Sequence, residues 1–109
     1  MNEKAAATKY YAVLLKPVEG RALSLPLVQG HAQHLAALNA QGKLLLAGPF
    51  VDHPWGLLVL KGASKTEIIQ ILNEDPFITS GVKTFEVATW VMATRENNFM
   101  PPLSTEPSN

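Results

Sequence analysis

The chain has 109 residues, with nine Lys and Arg balanced by nine Asp and Glu, and no cysteine. This length is that of one ordinary domain, and the lack of cysteine excludes disulfides, thiolate metal sites and a cysteine nucleophile. A formal net charge of zero gives no long-range attraction to phosphate backbones or anionic lipid, so we expect no nucleic-acid or membrane partner. The lack of cysteine fits a reducing compartment and the apolar runs are too short to span a membrane, so we expect a soluble, cytoplasmic protein.

The first part of the chain predicts a strand followed by a helix. Lys9 to Pro17 contains a run of aromatic and branched residues that ends at a proline, which is typical of a buried strand. Apolar residues and histidines then recur at spacings of three and four, namely Leu27, His31, His34, Leu35 and Leu38. Gly42 follows where a helix favours a left-handed residue. We therefore predict a helix from Ser24 or Leu25 to Gln41.

The second part of the chain predicts two strands, a helix and a last strand. Short apolar runs at 44–47 and 57–60, bounded by Gly-Pro or Gly, are typical of strands. Residues 64–67, Ser-Lys-Thr-Glu, form a capping box that begins a helix, and Pro76 ends it. The alternation from Val82 to Ala93 predicts the fourth strand.

The order β-α-β-β-α-β predicts an α+β, ferredoxin-like domain with a four-stranded antiparallel sheet. Residues 1–95 form this domain, and residues 96–109, rich in Pro, Ser and Asn, read as a C-terminal tail. Strands one to three are apolar on both faces, yet two helices cover only one side of such a sheet. We therefore expect a homodimer in which two sheets pack face to face, with association of dimers into larger assemblies left open.

One histidine and one aspartate are the first candidates for chemistry. His34 lies about 20° from Leu27 on a helical wheel, so its imidazole is predicted to point toward the sheet. Asp75 precedes Pro76, at the end of the second helix where a carboxylate is unfavourable against the helix dipole. Two structural alternatives stay open at this point: a core histidine bonded to a backbone carbonyl, and an aspartate that caps a turn.

Metal and cofactor sites find no support in the sequence. His31 and His34 are three residues apart but lack a third ligand, and there is no H-E-x-x-H arrangement. The chain also has no G-x-S-x-G, phosphate loop or dinucleotide fingerprint. We predict neither a metal nor a cofactor.

Several short motifs together resemble the YCII-related proteins over about residues 9 to 93. The matching segments are His34-Leu35, the run G-K-L-L-L-A-G-P at 42–49, Ser64, Asp75-Pro76-Phe77, Gly81-Val82 and Trp90. The resemblance implies a ferredoxin-like fold, a dimeric α+β barrel, and an active site built from a histidine and an aspartate. Carried over by position, these residues are His34 and Asp75.

The resemblance also implies a class of activity. One branch of this family removes chloride from a chlorinated hydroxyquinol without a cofactor, which implies a cofactor-free lyase or isomerase for a hydroxylated aromatic compound. His34, oriented by Asp75, would take the phenolic proton. Residues expected to contact the substrate are His31, Asp52, His53, Trp55, Phe77 and Tyr10. Two alternatives are a non-catalytic dimeric module that binds a metabolite or a protein, and a cofactor-free oxygenase.

Overall fold

The fold is known from a computed structural model, which describes residues 9–102. In chain order its elements are β1 (Lys9–Pro17), α1 (Leu25–Ala40), β2 (Leu44–Pro49), β3 (Gly56–Gly62), α2 (Lys65–Leu72), α3 (Pro76–Thr79), β4 (Lys83–Trp90) and a 3-10 turn at Arg95–Asn97. The strands form one antiparallel sheet in the order β2-β3-β1-β4. The predicted ferredoxin-like α+β fold is confirmed.

The ends of α1 follow from local signals in the sequence. Ser24 has extended backbone geometry, and its hydroxyl accepts a hydrogen bond from the amide of Leu27 at 3.3 Å. At the other end, Gly42 adopts a φ of +76°, a conformation in which a side chain would be strained. These two features confirm the predicted helix to within a residue at each end.

The region around α2 departs from the prediction in two details. The hydroxyl of Ser64 accepts from the amide of Glu67 at 3.1 Å, but the Glu67 carboxylate accepts from the amide of Ala63 at 2.7 Å rather than from the cap residue. The helix also ends at Leu72, and Pro76 begins the short helix α3. Proline suits this first helical position because it has no amide hydrogen to leave unsatisfied.

The helices cover one face of the sheet and leave the other open. The buried side chains that fill the helix-facing side include Tyr11, Val13, Leu15, Leu58, Leu60, Ile68, Leu72 and Phe77. On the opposite face, Leu46 is 59% exposed and Trp90 is 40% exposed. This is the face on which the sequence predicts a second copy of the chain, and the homodimer stays a prediction.

After β4 the described chain continues to residue 102 without a further strand or α-helix. Residues 103–109 of the predicted tail lie outside the described residues, and the domain boundary at residue 95 stays a prediction. Within residues 9–102, every helix is too short or too polar to cross a bilayer.

Candidate active site

A hydrogen bond between α1 and the start of α3 forms the centre of the site. His31 Nδ1 lies 2.7 Å from Asp75 Oδ2. Asp75 is fully buried, while the His31 side chain is 15% exposed. The other oxygen of Asp75, Oδ1, accepts from the backbone amide of Phe77 at 2.9 Å. Both oxygens of a carboxylate that has no contact with solvent are therefore engaged, as burial of such a group requires.

Local sequence explains how α1 and α3 come so close together. Asp75 is the N-cap of α3, and Pro76 is its first residue, so the carboxylate is held at a fixed position. Gly30 faces Pro76, and a Cβ atom on Gly30 would lie only 3.0 Å from Pro76 Cγ. The glycine therefore permits the close approach that places the next residue, His31, against Asp75.

The ring of Phe77 fixes the plane of the His31 imidazole. The two rings stack with their centroids 4.0 Å apart and an interplanar angle of 11°. In its ionised form Asp75 only accepts hydrogen bonds, so His31 Nδ1 then donates and Nε2 keeps its lone pair. Within residues 9–102, Nε2 has no hydrogen-bond partner. The arrangement gives an oriented imidazole whose basic nitrogen is available to a ligand.

His31 lines a cavity of about 330 Å³, whose walls are mainly apolar. The lining comes from both sheet and helices: Leu15, Leu23, Val28, His31, Leu35, Gly48, Pro49, Pro54, Trp55, Gly56, Leu57, Leu58, Phe77 and Lys83. Among these residues only His31 and Lys83 are ionisable. An apolar pocket with a few polar groups is the usual form of a small-molecule site, and its volume suits a ligand with a single ring.

The structure corrects the predicted pairing of His34 with Asp75. His34 Nε2 lies 3.1 Å from the carbonyl oxygen of Ile71, while the two oxygens of Asp75 serve His31 and Phe77. Among the described residues His34 and Asp75 form no direct hydrogen bond, and His31, predicted to contact substrate, is the histidine that bonds to Asp75. The physical reason is that α1 faces α3 at His31 and faces α2 one turn later, at His34.

The remaining predicted substrate contacts divide between the cavity and other parts of the fold. Trp55 and Phe77 line the same cavity as His31. His53 lines an adjoining cavity of about 330 Å³ and stacks on Phe50 at 4.6 Å. Asp52 is exposed and is absent from the lining of both cavities.

Tyr10 was also predicted to contact the substrate, and the structure places it elsewhere. Strand register pairs Tyr10 with Trp90, which puts both side chains on the open face of the sheet, because neighbours across a ladder share a face. The cavity beside His31 lies on the helix-facing side. Tyr10 therefore does not reach it within one chain.

Lys83 lines the cavity but was missed from the sequence. It is the first residue of β4 and precedes Phe85 and Val87 at a spacing of two, so its side chain falls on the inward, helix-facing side of the sheet. A lysine in phase with buried residues is unusual, because lysine rarely lies at inward positions. This alternation was visible in the sequence and was the signal that could have revealed it.

The described residues offer no evident metal site. Within residues 9–102 there is no group of three His, Cys, Asp or Glu side chains close enough to share an ion. The histidine and aspartate at the centre of the site instead bond to each other.

Comparison with known proteins places this geometry in context. The family model described as the YCII-related domain matches residues 10–91. An uncharacterized protein, YjpA, from Bacillus subtilis (strain 168) is 33% identical over 63 residues, which cover 58% of this chain and 74% of that protein.

A solved structure shares the fold. It is the 5-chloro-2-hydroxyhydroquinone dehydrochlorinase from Burkholderia phenoliruptrix AC1100 in complex with 2,5-dihydroxybenzoquinone. The two match with a TM-score of 0.61 and 22% sequence identity, over 82% of this chain and 99% of that one. At this identity the match establishes the shared architecture.

Proposed function

Since the chain belongs to the YCII-related family, we propose that it is a cofactor-free enzyme that moves protons on a hydroxylated aromatic compound. His31 is its general base, and Asp75 is the positioning residue that holds the imidazole. The observation that supports this most is the 2.7 Å bond between His31 Nδ1 and the buried Asp75 carboxylate, at the wall of an apolar cavity. A base oriented by a carboxylate is a common arrangement for proton abstraction.

The reaction that we propose is elimination of hydrogen chloride from a chlorinated hydroxyquinol. His31 Nε2 takes the proton of a ring hydroxyl, the O–H electron pair becomes a carbonyl bond, and the ring carbon that carries chlorine is protonated. His31, neutral again after it has given its proton to that carbon, then takes the proton of a second hydroxyl. The electron pair of this oxygen closes a second carbonyl, the ring double bond shifts to the carbon that carries chlorine, and the C–Cl pair leaves as chloride. The product is a hydroxyquinone, and no electrons are exchanged with an external oxidant.

The residues of the site suit these reaction steps. The imidazole can accept the first proton and return it to carbon, because a histidine changes charge near neutral pH in either direction. The walls of the cavity, including Trp55 and Phe77, are flat and apolar and suit a ring. The solved neighbour acts on a chlorinated hydroxyquinol and binds a hydroxylated quinone according to its description, which supports this substrate class for the present chain.

The test compares two histidines on the same helix. Wild type, His31→Gln and His34→Gln are given a chlorohydroxyquinol under argon, and released chloride and the quinone absorbance are followed together. We expect one chloride per ring for the wild type, and a loss of about 10²–10⁴-fold in turnover for His31→Gln, the usual contribution of general acid–base catalysis. His34→Gln should keep nearly full turnover while losing about 1 kcal/mol of stability, because it loses one hydrogen bond to a carbonyl.

Other outcomes separate the rival functions. Equal turnover of His31→Gln and wild type would contradict the assignment of the base. Tight binding of the quinone product without any chloride release would favour a binding module, and consumption of oxygen in air-saturated buffer would favour an oxygenase.

A further inference from the structure

The cavity beside His31 adjoins a second cavity, and the ionisable residues that line the two are all of the basic type. The second cavity also measures about 330 Å³ and is lined by Arg21, His53 and Lys83 together with apolar residues. Lys83, Trp55 and Leu23 line both cavities, so the two meet at these side chains. Of the described residues that line either one, the ionisable ones are all basic, and none is a carboxylate.

This asymmetry contrasts with the composition of the chain as a whole. Basic and acidic residues are equal in number, and two other lysines near the sheet are paired with glutamate: Lys16 with Glu86 at 2.6 Å and Lys43 with Glu67 at 3.4 Å. Lys83 forms no ion pair within residues 9–102. A charge of one sign gathered in a low-dielectric cleft focuses the field there.

The position of Lys83 is held by two weak contacts. Its ammonium donates to the carbonyl of Pro54 at 3.3 Å and lies 5.8 Å from the centroid of the Phe77 ring. An ammonium has three donors, so donors remain for a ligand. Phe77 also stacks on His31, and the ammonium and the imidazole are therefore neighbours of one ring.

We infer that Lys83, supported by Arg21, binds an anionic group of the ligand, so that the hydroxylated aromatic compound of the proposed function carries a ring carboxylate or a comparable anion. The ring occupies the cavity beside His31, and the anion lies where the two cavities meet. Arg21 is exposed at the rim of the second cavity, with its guanidinium against Gly81, and it supplies attraction at the entrance. The inference rests on the proposed function, since it concerns the substrate of the same site.

Binding of a matched pair of ligands tests this inference without turnover. Salicylate and salicylamide have the same ring and nearly the same shape, and they differ in charge. Their affinities for the full chain are measured by calorimetry for wild type, Lys83→Gln, Arg21→Gln and, as the matched control, Lys61→Gln. Lys61 lies on β3 and lines neither cavity.

We expect wild type to bind salicylate more tightly than salicylamide, with Lys83→Gln losing about tenfold for salicylate, as loss of one charge-assisted hydrogen bond predicts. Salicylamide binding should change little in any variant. Arg21→Gln should lose less than Lys83→Gln, and mainly at low salt, because an exposed charge is screened. Lys61→Gln should match the wild type for both ligands.

Two results would overturn the inference. One is equal affinity of the wild type for salicylate and salicylamide, and the other is an unchanged preference for salicylate in a Lys83→Gln variant whose stability matches that of the wild type. The outcome is separable from that of the proposed function. Binding is also measured in His31→Gln, where a retained preference for salicylate supports the anion site whether or not His31 proves to be the base. If the wild type turns over a neutral chlorohydroxyquinol but binds salicylate and salicylamide equally, His31 is upheld as the base and the anion site is excluded.

Discussion

His31 and His34 lie one turn apart on α1, and their surroundings differ in every physical respect that matters for chemistry. His31 bonds to a buried carboxylate, stacks on Phe77 and lines an apolar cavity. His34 bonds to the backbone carbonyl of Ile71 beside a polar groove. A backbone carbonyl and a carboxylate can each fix the tautomer of a neutral imidazole, but only the carboxylate carries a charge that supports a positive charge on the ring.

The charges around the two histidines also differ. The groove beside His34 contains Lys43, Glu67 and Glu74, so both signs of charge are present. Among the described residues that line the cavity beside His31, the ionisable one other than His31 itself is Lys83. The partner supplied by the facing helix, and not the residue type, therefore distinguishes the two histidines.

Of the substitutions proposed for this protein, removal of the Asp75 carboxylate should lower its stability most. Asp75→Ala leaves the amide of Phe77 without its acceptor and His31 without its partner, in a site closed to solvent. We expect a loss of roughly 3 kcal/mol in the free energy of unfolding, the sum of about 1 kcal/mol for a lost helix cap and about 2 kcal/mol for a hydrogen-bonding group left without its partner. Urea unfolding followed by circular dichroism measures it.

Asp75→Asn is the matched control for that change. Its carbonyl oxygen can still accept from the Phe77 amide, while its NH₂ group would donate to His31 Nδ1 and move the ring proton to Nε2. Most of the stability should then remain and turnover should be lost, and nitrogen NMR of the imidazole should show the exchanged tautomer. Full turnover in Asp75→Asn would contradict a positioning role.

Gly30→Ala should loosen the contact of α1 with α3 while leaving the His34 region unchanged. The added Cβ would lie 3.0 Å from Pro76 Cγ and 3.4 Å from Pro76 Cβ. Overpacking costs about 1–3 kcal/mol, and alanine recovers about 1 kcal/mol of helix propensity relative to glycine. We therefore expect a net loss of about 1 kcal/mol together with reduced turnover.

Gln33→Ala is the control for Gly30→Ala, because Gln33 is an exposed residue on the same helix. It should change stability by less than about 0.5 kcal/mol. A Gly30→Ala variant that is as stable and as active as wild type would show that α1 and α3 can separate without harm to the site.

The smallest effect should come from pH, on the His34 side of the molecule. A hydrogen bond from the amide of Ala63, aided by Lys43, lowers the pKa of Glu67 below its ordinary value of 4.5. Its stabilising contribution is present above that ordinary value and is lost as pH falls through the lowered one. Because Glu67 is partly exposed, we expect about a few tenths of a kcal/mol.

Unfolding of wild type and Glu67→Gln at a series of pH values measures this contribution. The difference between them should be constant near neutral pH and vanish in acid, where a protonated Glu67 resembles glutamine. A difference that grows as the pH falls would reverse the expected sign.

Much of the fold could be predicted because its signals are local. The proline that ends β1, the hydroxyl of Ser64 and the left-handed Gly42 each act within a few residues, and each predicted boundary near them was close to the observed one. The start of a helix at Pro76 was missed, since Pro76 was interpreted as the end of α2 and Asp75-Pro76 as the beginning of a turn, although proline is also favourable at a first helical position.

The site could be predicted only in part, because its central contact depends on tertiary structure. On the helical wheel His34 lies about 20° from Leu27 and about 40° from Leu38, and His31 lies about 40° and about 20° from the same residues. The wheel therefore directs both imidazoles inward and cannot tell which faces α3. Asp75 was identified as a residue that needs a reason. The suggested cap is found, whereas the histidine that it contacts is His31 and not the expected His34.

The double use of Asp75 joins local folding to chemistry. One carboxylate both begins the four-residue helix α3 and holds His31, so a transient opening of α3 also releases the imidazole. The amide of Phe77 is protected from hydrogen exchange only while it donates to Asp75. Its exchange rate is therefore a direct reading, in solution and without any substrate, of the fraction of molecules in which the base is assembled.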